Sequence, residues 1–347
     1  MAASYCVLAI DGGGIRGIIP ATVLAELERL VASHLVADVF DLIVGTSTGG
    51  ILALGLTVPE SGRPRHTAQR LLDLYVSEAE TIFPGGGPQT LTQRIFGTRD
   101  RSAWFRDPIE LLMRRSSERE ETGGARYPLA GLEDVLERYI GDANLADAVG
   151  DVVVTSYDMA YEEPVMFSSR ARPGFVTDVS MCVAARATSA GPTFFEPQEL
   201  VSADRHRVLV DGGVYVNNPS LLGYLIGGQA ARAVGAKLVL VSLGTGTRPQ
   251  RTPGSPEELR MTDSPALVRA LLEAVARGSA ALGDALLRGL ADGDAFRYWR
   301  IQTDVGTCSF TMDDSTRENV ACLGVRARAL IRERQVELDA IAAAIVE

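Results

Sequence analysis

The sequence predicts an α/β fold of three layers: a mainly parallel central sheet flanked on both faces by helices. Two observations carry this expectation. Short apolar runs rich in Val, Ile and Leu alternate with segments of helical periodicity, the pattern of strands buried on both faces and joined by crossover helices. Hydrophobic residues also fill 46% of the 347 positions, enough to bury one large core or two modest ones. The expected organisation is one domain over 1–347. It has a motif-bearing core at about 5–247, a loop-rich insertion at about 83–126 and a helical C-terminal part at about 252–347.

The elements follow in order. The run at 6–10 has no positively charged segment before it and leads straight into a glycine loop, so it reads as a first strand and not as a signal peptide. A helix is expected at about 21–37, then a strand at 40–44 that stops at Gly45, then helices at 49–58 and 67–79. Three consecutive glycines from Gly85, several prolines and the stretch TGGAR mark 83–126 as the insertion. Beyond it, strands are expected at 152–157, 207–210, 237–242 and 296–302, and helices at 131–139, 177–188 and 219–234. The 265–290 segment gathers Arg269, Glu273, Arg277, Asp284 and Arg288 on one face, the pattern of an amphipathic helix packed on a core. A capping box, Ser315-x-x-Glu318, opens the last helix.

Charge and composition exclude several classes of function. A net charge of −10 argues against general nucleic-acid binding, which needs a basic face. No apolar stretch approaches the roughly 20 residues of a membrane span. The four cysteines, Cys6, Cys182, Cys308 and Cys322, form no C-x-x-C pair and read as reduced thiols of a cytoplasmic protein. No zinc-ligand spacing and no H-E-x-x-H occur, so no metal is expected.

Three stretches carry chemistry. The first is Asp11-Gly12-Gly13-Gly14-Ile15-Arg16-Gly17, which satisfies the dinucleotide fingerprint G-x-G-x-x-G letter for letter. A dinucleotide site also needs an acid at the end of the second strand, about 20 residues on. Here that strand ends in glycine and serine, and Asp11 would set a carboxylate against the pyrophosphate. The fingerprint reading fails. The second stretch, Gly45-Thr46-Ser47-Thr48-Gly49, is G-x-S-x-G between a strand and a helix, the context of a nucleophile elbow. Gly45 and Gly49 suit a turn too tight for β-carbons beside Ser47.

An activated serine needs a base. His34, His66 and His206 all lie in polar or helical surroundings that read as surface. The third stretch offers Asp211, at the end of a strand and followed by Gly212 and Gly213. An aspartate there serves either as a base or as a turn cap, and the spacing alone does not choose.

Together the three stretches resemble the patatin-like phospholipase family, in its bacterial, cytoplasmic type. The family's D-G-G-G-x-[RK]-G, G-x-S-x-G and D-G-[GA] motifs occur in order at 11–17, 45–49 and 211–213. The segments ARATSAGPTFFEP (185–197) and LVLVSLGTG (238–246) also look like family elements. The resemblance implies a serine esterase that cleaves carboxylic esters of phospholipids or lysophospholipids through a Ser47–Asp211 dyad and an acyl-serine, with no organic cofactor. It implies an oxyanion loop built from Gly12, Gly13, Gly14 and Arg16. Two roles fit Arg16 equally, holding that loop or acting directly as a fixed charge. An alternative reading is a membrane-degrading effector of a bacterial anti-phage system switched on by a cyclic nucleotide, although no nucleotide-binding motif is present. The 83–115 segment holds Arg99, Arg101, Trp104 and Phe105, basic and aromatic in an acidic chain. That suits transient contact with the inner face of a membrane. Self-association stays open.

Overall fold

The computed structural model describes residues 3–32, 34–86, 125–202, 205–248 and 265–346. In chain order its strands are β1 (Ser4–Ile10), β2 (Leu42–Thr46), β3 (Pro59–Glu60), β4 (Arg63–Pro64), β5 (Asp151–Asp158), β6 (Glu163–Ser168), β7 (Gln198–Val201), β8 (His206–Asp211), β9 (Lys237–Leu243) and β10 (Phe296–Ile301). Eight of them form one sheet in the order β10-β9-β1-β2-β5-β8-β7, with β6 also paired to β5. The five strands from β10 to β5 are parallel. At the other end β6 and β8 run antiparallel to β5, and β7 antiparallel to β8. The expected mainly parallel sheet is present. The antiparallel strands β6 and β7 escaped the sequence reading because they are short and follow turns, not crossover helices.

β1 shows why the sheet lies in the middle. Its side chains alternate with period two: Cys6, Leu8 and Ile10 enter the larger core, while Val7 and Ala9 enter the smaller one. An unbroken apolar run is what burial on both faces requires. The helices are α1 (Ile18–Leu30), α2 (Val36–Val39), α3 (Thr48–Thr57), α4 (Ala68–Ser77), α5 (Ala79–Ile82), α6 (Leu129–Tyr139), α7 (Met181–Thr188), α8 (Ser220–Val234), α9 (Pro265–Leu290), α10 (Arg317–Glu333) and α11 (Gln335–Ile345). Residues of α8 and α9 line the smaller core, and the other helices line the larger one.

Several expectations change in detail. The helix expected at 21–37 ends at Leu30, and a separate turn, α2, follows. The last helix splits into α10 and α11, and its cap is Thr316, whose side chain accepts from Asn319 N–H, not Ser315. Ser315 instead donates its hydroxyl to the Phe83 carbonyl at 2.7 Å. The α9 helix exists, but Leu287 is its one buried side chain among those described, and Val275, Leu282, Leu286 and Leu290 are exposed. The reading of four reduced thiols is overturned: Cys308 and Cys322 are joined in a disulfide, leaving Cys6 and Cys182 free. Fourteen residues apart in sequence, they meet because the chain folds back onto α10, which spacing could not show. The cysteine argument for a reducing compartment therefore falls. No helix among the described residues is long and apolar enough to cross a membrane. The expected membrane-contact segment, with Arg99, Arg101, Trp104 and Phe105, lies in 87–124, outside the described residues.

One ion pair ties the sheet together at the end where the loops gather. Asp11, just past β1, receives a bidentate pair from Arg300 of β10 at 2.8 and 2.5 Å. Arg300 reaches across β9 to do so, donating also to the Ser242 hydroxyl at 2.7 Å. Both partners are buried, with side chains 8% and 4% exposed. Removing one member of such a pair strands the other's charge, at about 3–5 kcal/mol. Arg300→Leu should lower the urea-unfolding free energy by about that much, and Asp11→Asn in the same chain should recover most of the loss. A single variant costing under about 1 kcal/mol would show the pair to be solvated.

Candidate active site

The site starts from a backbone crowding that only glycine satisfies. After Thr46, β2 turns at once into α3, and the turning residue Ser47 is held at φ 55° and ψ −124°. A positive φ is uncommon for a residue with a β-carbon. A β-carbon on Gly45 would lie 2.3 Å from the Gly49 carbonyl oxygen, and one on Gly49 would lie 2.2 Å from that of Ile10. Both glycines of the elbow are therefore demanded by close approach. Ser47 N–H donates to the Thr188 hydroxyl at 2.9 Å, and the Ser47 carbonyl accepts from Ile51 N–H at 3.0 Å. The side chain thus stands at the N-terminus of α3, where unpaired N–H groups favour negative charge.

Asp211 reaches Ser47 by a route the sequence reading did not foresee. Its strand is antiparallel to β5, so its C-terminal end does not lie at the C-terminal edge of the parallel strands by direction alone. β8 instead approaches from beyond that edge and stops where Asp211 pairs with Ser156, next to the Thr155–Thr46 pair. Asp211 is 8% exposed. Its carboxylate stands beside the Ser47 hydroxyl and accepts a hydrogen bond from Gly213 N–H at 2.7 Å. Burial pushes its pKa up to about 6, against the partial opposition of those two groups. No cation is among the groups that shift it. The turn-cap reading of this aspartate is met at Gly213 N–H, and the same carboxylate lies beside Ser47.

The three histidines stand elsewhere. His66 is buried against the Tyr139 carbonyl at 2.6 Å, not on the surface as expected, and burial lowers its pKa. His206 is exposed beside Glu199 at the opposite end of β8 from Asp211. His34 is exposed in the turn between α1 and α2.

The glycine loop lies against the elbow: a β-carbon on Gly12 would sit 3.1 Å from that of Ser47. Of its expected donors, Gly12 drops out, because its N–H is already given to the Asn217 carbonyl at 3.0 Å. Among the described residues, the N–H groups of Gly13 and Gly14 have no protein acceptor. Arg16 is buried and donates to the carbonyls of Gly13 at 3.3 Å and Gly246 at 3.2 Å, with its guanidinium 4.0 Å above the Phe310 ring. These contacts support the holding role for Arg16.

Sequence reasoning missed Thr188, Ala190, Asn217, Thr245 and Arg300. Thr188 holds the backbone of Ser47 and the Ala190 carbonyl holds the N–H of Asp211 at 3.0 Å, so the 185–197 segment braces both partners. Asn217 was legible as part of the Asp211 stretch, and Thr245 as part of the 238–246 stretch. Among the described residues no cluster of His, Cys, Asp and Glu is placed to hold a metal ion.

Comparison with known proteins gives one consistent family. The family model described as Patatin-like phospholipase matches residues 8–222. Patatin-like protein 2 of Oryza sativa subsp. indica is 35% identical over 232 residues, covering 62% of this chain and 51% of that protein. Patatin-17 of Solanum cardiophyllum is 32% identical over 265 residues, covering 70% of this chain and 60% of its own. The chain spans about half the length of the curated relatives it matches. The solved structure of human GIVD cytosolic phospholipase A2 aligns over 98% of this chain and 60% of its own at 10% identity, with a TM-score of 0.42.

The raised pKa of Asp211 has a consequence for stability. A carboxyl group whose folded pKa rises from 3.8 to about 6 binds its proton more tightly in the native state. Its contribution to stability is full below the unfolded value and is lost as pH rises through about 6. Asp211→Asn removes the ionisation, so at pH 8 it should stabilise the fold by up to about 3 kcal/mol. At pH 4 the gain should nearly vanish. Equal unfolding midpoints at pH 8 for the two proteins would contradict the raised pKa of Asp211.

Proposed function

The chain belongs to the patatin-like phospholipase family, and from that membership we propose that it is a lipid acyl hydrolase cleaving carboxylic esters of phospholipids or lysophospholipids through a Ser47–Asp211 dyad. One observation carries the proposal: Ser47, at a strained elbow, stands beside the buried carboxylate of Asp211, whose pKa is pushed up to about 6.

The chemistry follows from that pair. A free aspartate is a feeble base, with a pKa of about 3.9. Raised to about 6, Asp211 is still mostly ionised at pH 7, yet accepts a proton far more readily. As the Ser47 Oγ attacks the ester carbonyl carbon, its proton passes to Asp211. The carbonyl electrons move onto oxygen, whose charge the unpaired N–H groups of the loop and the N-terminus of α3 stabilise. Collapse expels the lipid alcohol, which takes the proton from Asp211 and leaves an acyl-Ser47. Water then repeats the sequence: Asp211 takes its proton, hydroxide attacks the acyl carbon, and the fatty acid leaves as Ser47 regains a proton. The reading needs neither a nucleotide activator nor a second copy of the chain.

Hydrolysis of a phospholipid and lysophospholipid panel tests it. Ser47→Ala and Asp211→Asn should each reduce turnover at least about a thousandfold in folded protein, while replacing His34, His66 and His206 together should leave most of it. A folded triple-histidine variant without activity would sink the dyad. The value of kcat/KM should be level above about pH 7 and fall about tenfold per unit once pH drops below about 6. A fluorophosphonate should label Ser47 and lose that reaction in Ser47→Ala.

A further inference from the structure

The Gly12–Gly13 peptide has no side chain on either flank, yet its carbonyl is clamped twice. With no β-carbon on either side, a Gly-Gly peptide can rotate about its flanking bonds at little steric cost. Yet both backbone groups of Gly12 are taken. Its N–H donates to the Asn217 carbonyl at 3.0 Å. Its carbonyl accepts two hydrogen bonds, from Asn217 Nδ2 at 3.2 Å and from the Thr245 hydroxyl at 2.7 Å. Thr245 is 3% exposed, so no water competes freely for that carbonyl.

The peptide is planar and trans, so fixing its carbonyl also fixes the Gly13 N–H, which points the opposite way. That N–H has no protein acceptor among the described residues. A flip of the same peptide would present the carbonyl oxygen where the N–H now points and would repel a developing oxyanion. The clamp is also built onto the dyad. The Asp211-to-Asn217 segment carries the base at one end, accepts the Thr46 hydroxyl at the Val216 carbonyl (2.8 Å), and grips Gly12 at its other end.

We propose that Asn217 and Thr245 are positioning residues, which lock the Gly12–Gly13 peptide with the Gly13 N–H facing the oxyanion formed at Ser47. The proposal rests on the esterase reading above. Both act through the orientation of one peptide group. Arg300 fixes the preceding residue, Asp11, so the clamp closes on a loop already anchored at one end.

The test compares Thr245→Val, Thr245→Ser, Asn217→Ala and the Thr245→Val/Asn217→Ala pair on a water-soluble p-nitrophenyl ester. Thr245→Val keeps the shape and removes the donor. It and Asn217→Ala should each lower kcat about tenfold to a hundredfold with KM changed less than about threefold, because the lost interaction belongs to the transition state. Thr245→Ser should restore most of kcat. The double variant should lose less than the product of the single losses, since both donors hold one carbonyl. The acid limb of the pH profile should stay near 6 in every variant, because Asp211 is untouched. Thermal unfolding identifies variants that fail to fold, and Thr245→Ser then decides through its own kcat and KM. An active wild-type enzyme whose Thr245→Val keeps kcat, or whose variants raise KM alone, overturns this proposal and leaves the dyad standing. A wild-type protein that neither hydrolyses the ester nor reacts with a fluorophosphonate overturns the dyad reading, and this proposal with it.

Discussion

The site depends on one contact, where the backbone of the elbow presses on the end of β1. β1 and β2 are parallel neighbours, with Ile10 opposite Gly45, and α3 must leave the sheet directly after β2. Its path passes so close to the Ile10 carbonyl that no side chain fits at Gly49. Ser47, between the strand and the helix, takes the positive φ that this path imposes, a conformation costing of order 1–3 kcal/mol. The surroundings over-determine it through the hydrogen bonds of its N–H and its carbonyl. The same contact brings the residues after Ile10, the glycine loop, beside the Ser47 β-carbon. The geometry of Ser47 and the placement of the loop are thus one constraint and not two.

Two buried aspartates near that contact show how environment divides identical groups. Asp11 faces Arg300 in a bidentate pair and serves as an anchor. Burial raises the pKa of both, but at Asp11 it is opposed by Arg300 and Arg16, whereas at Asp211 only a serine hydroxyl and one backbone N–H oppose it. A cation beside Asp211 would stabilise its charge and weaken it as a base. Keeping the arginine on Asp11 and away from Asp211 is the electrostatic arrangement that a carboxylate base requires.

Much of this was legible in the residues. The parallel strands announce themselves because strands buried on both faces need unbroken apolar runs, as β1 and β9 have. Ser47 and its glycines are legible because steric crowding leaves only one residue type at those positions. Asp211 was legible as a strand-end residue, but the edge of the sheet it reaches was not: strand direction is a matter of pairing, and nothing in HRVLVD states that it runs antiparallel to β5. Which loop N–H groups are free of protein acceptors was not separable by sequence either. Gly12, Gly13 and Gly14 look alike, and only the partner at Asn217 distinguishes the glycine whose N–H is spent. Arg300 and the Cys308–Cys322 link come from long-range packing, which a local pattern does not encode.

The distribution of those long-range partners separates chemistry from rigidity. The span matched by the family model, 8–222, contains Ser47, Asp211 and the loop glycines. The groups that hold the loop lie mostly beyond it. Thr245 and Gly246 grip Gly12 and Arg16, Arg300 grips Asp11, Phe310 lies under the Arg16 guanidinium, and the Met312 carbonyl accepts Ile15 N–H at 2.8 Å. The Cys308–Cys322 disulfide fastens the segment carrying Phe310 and Met312 to α10, which packs on the larger core. A glycine-rich loop has little stiffness of its own, so its orientation is set by what surrounds it. Two chains can therefore share all three motifs and still hold the oxyanion donors differently, because the holding residues are drawn from a part of the sequence that the motifs do not include.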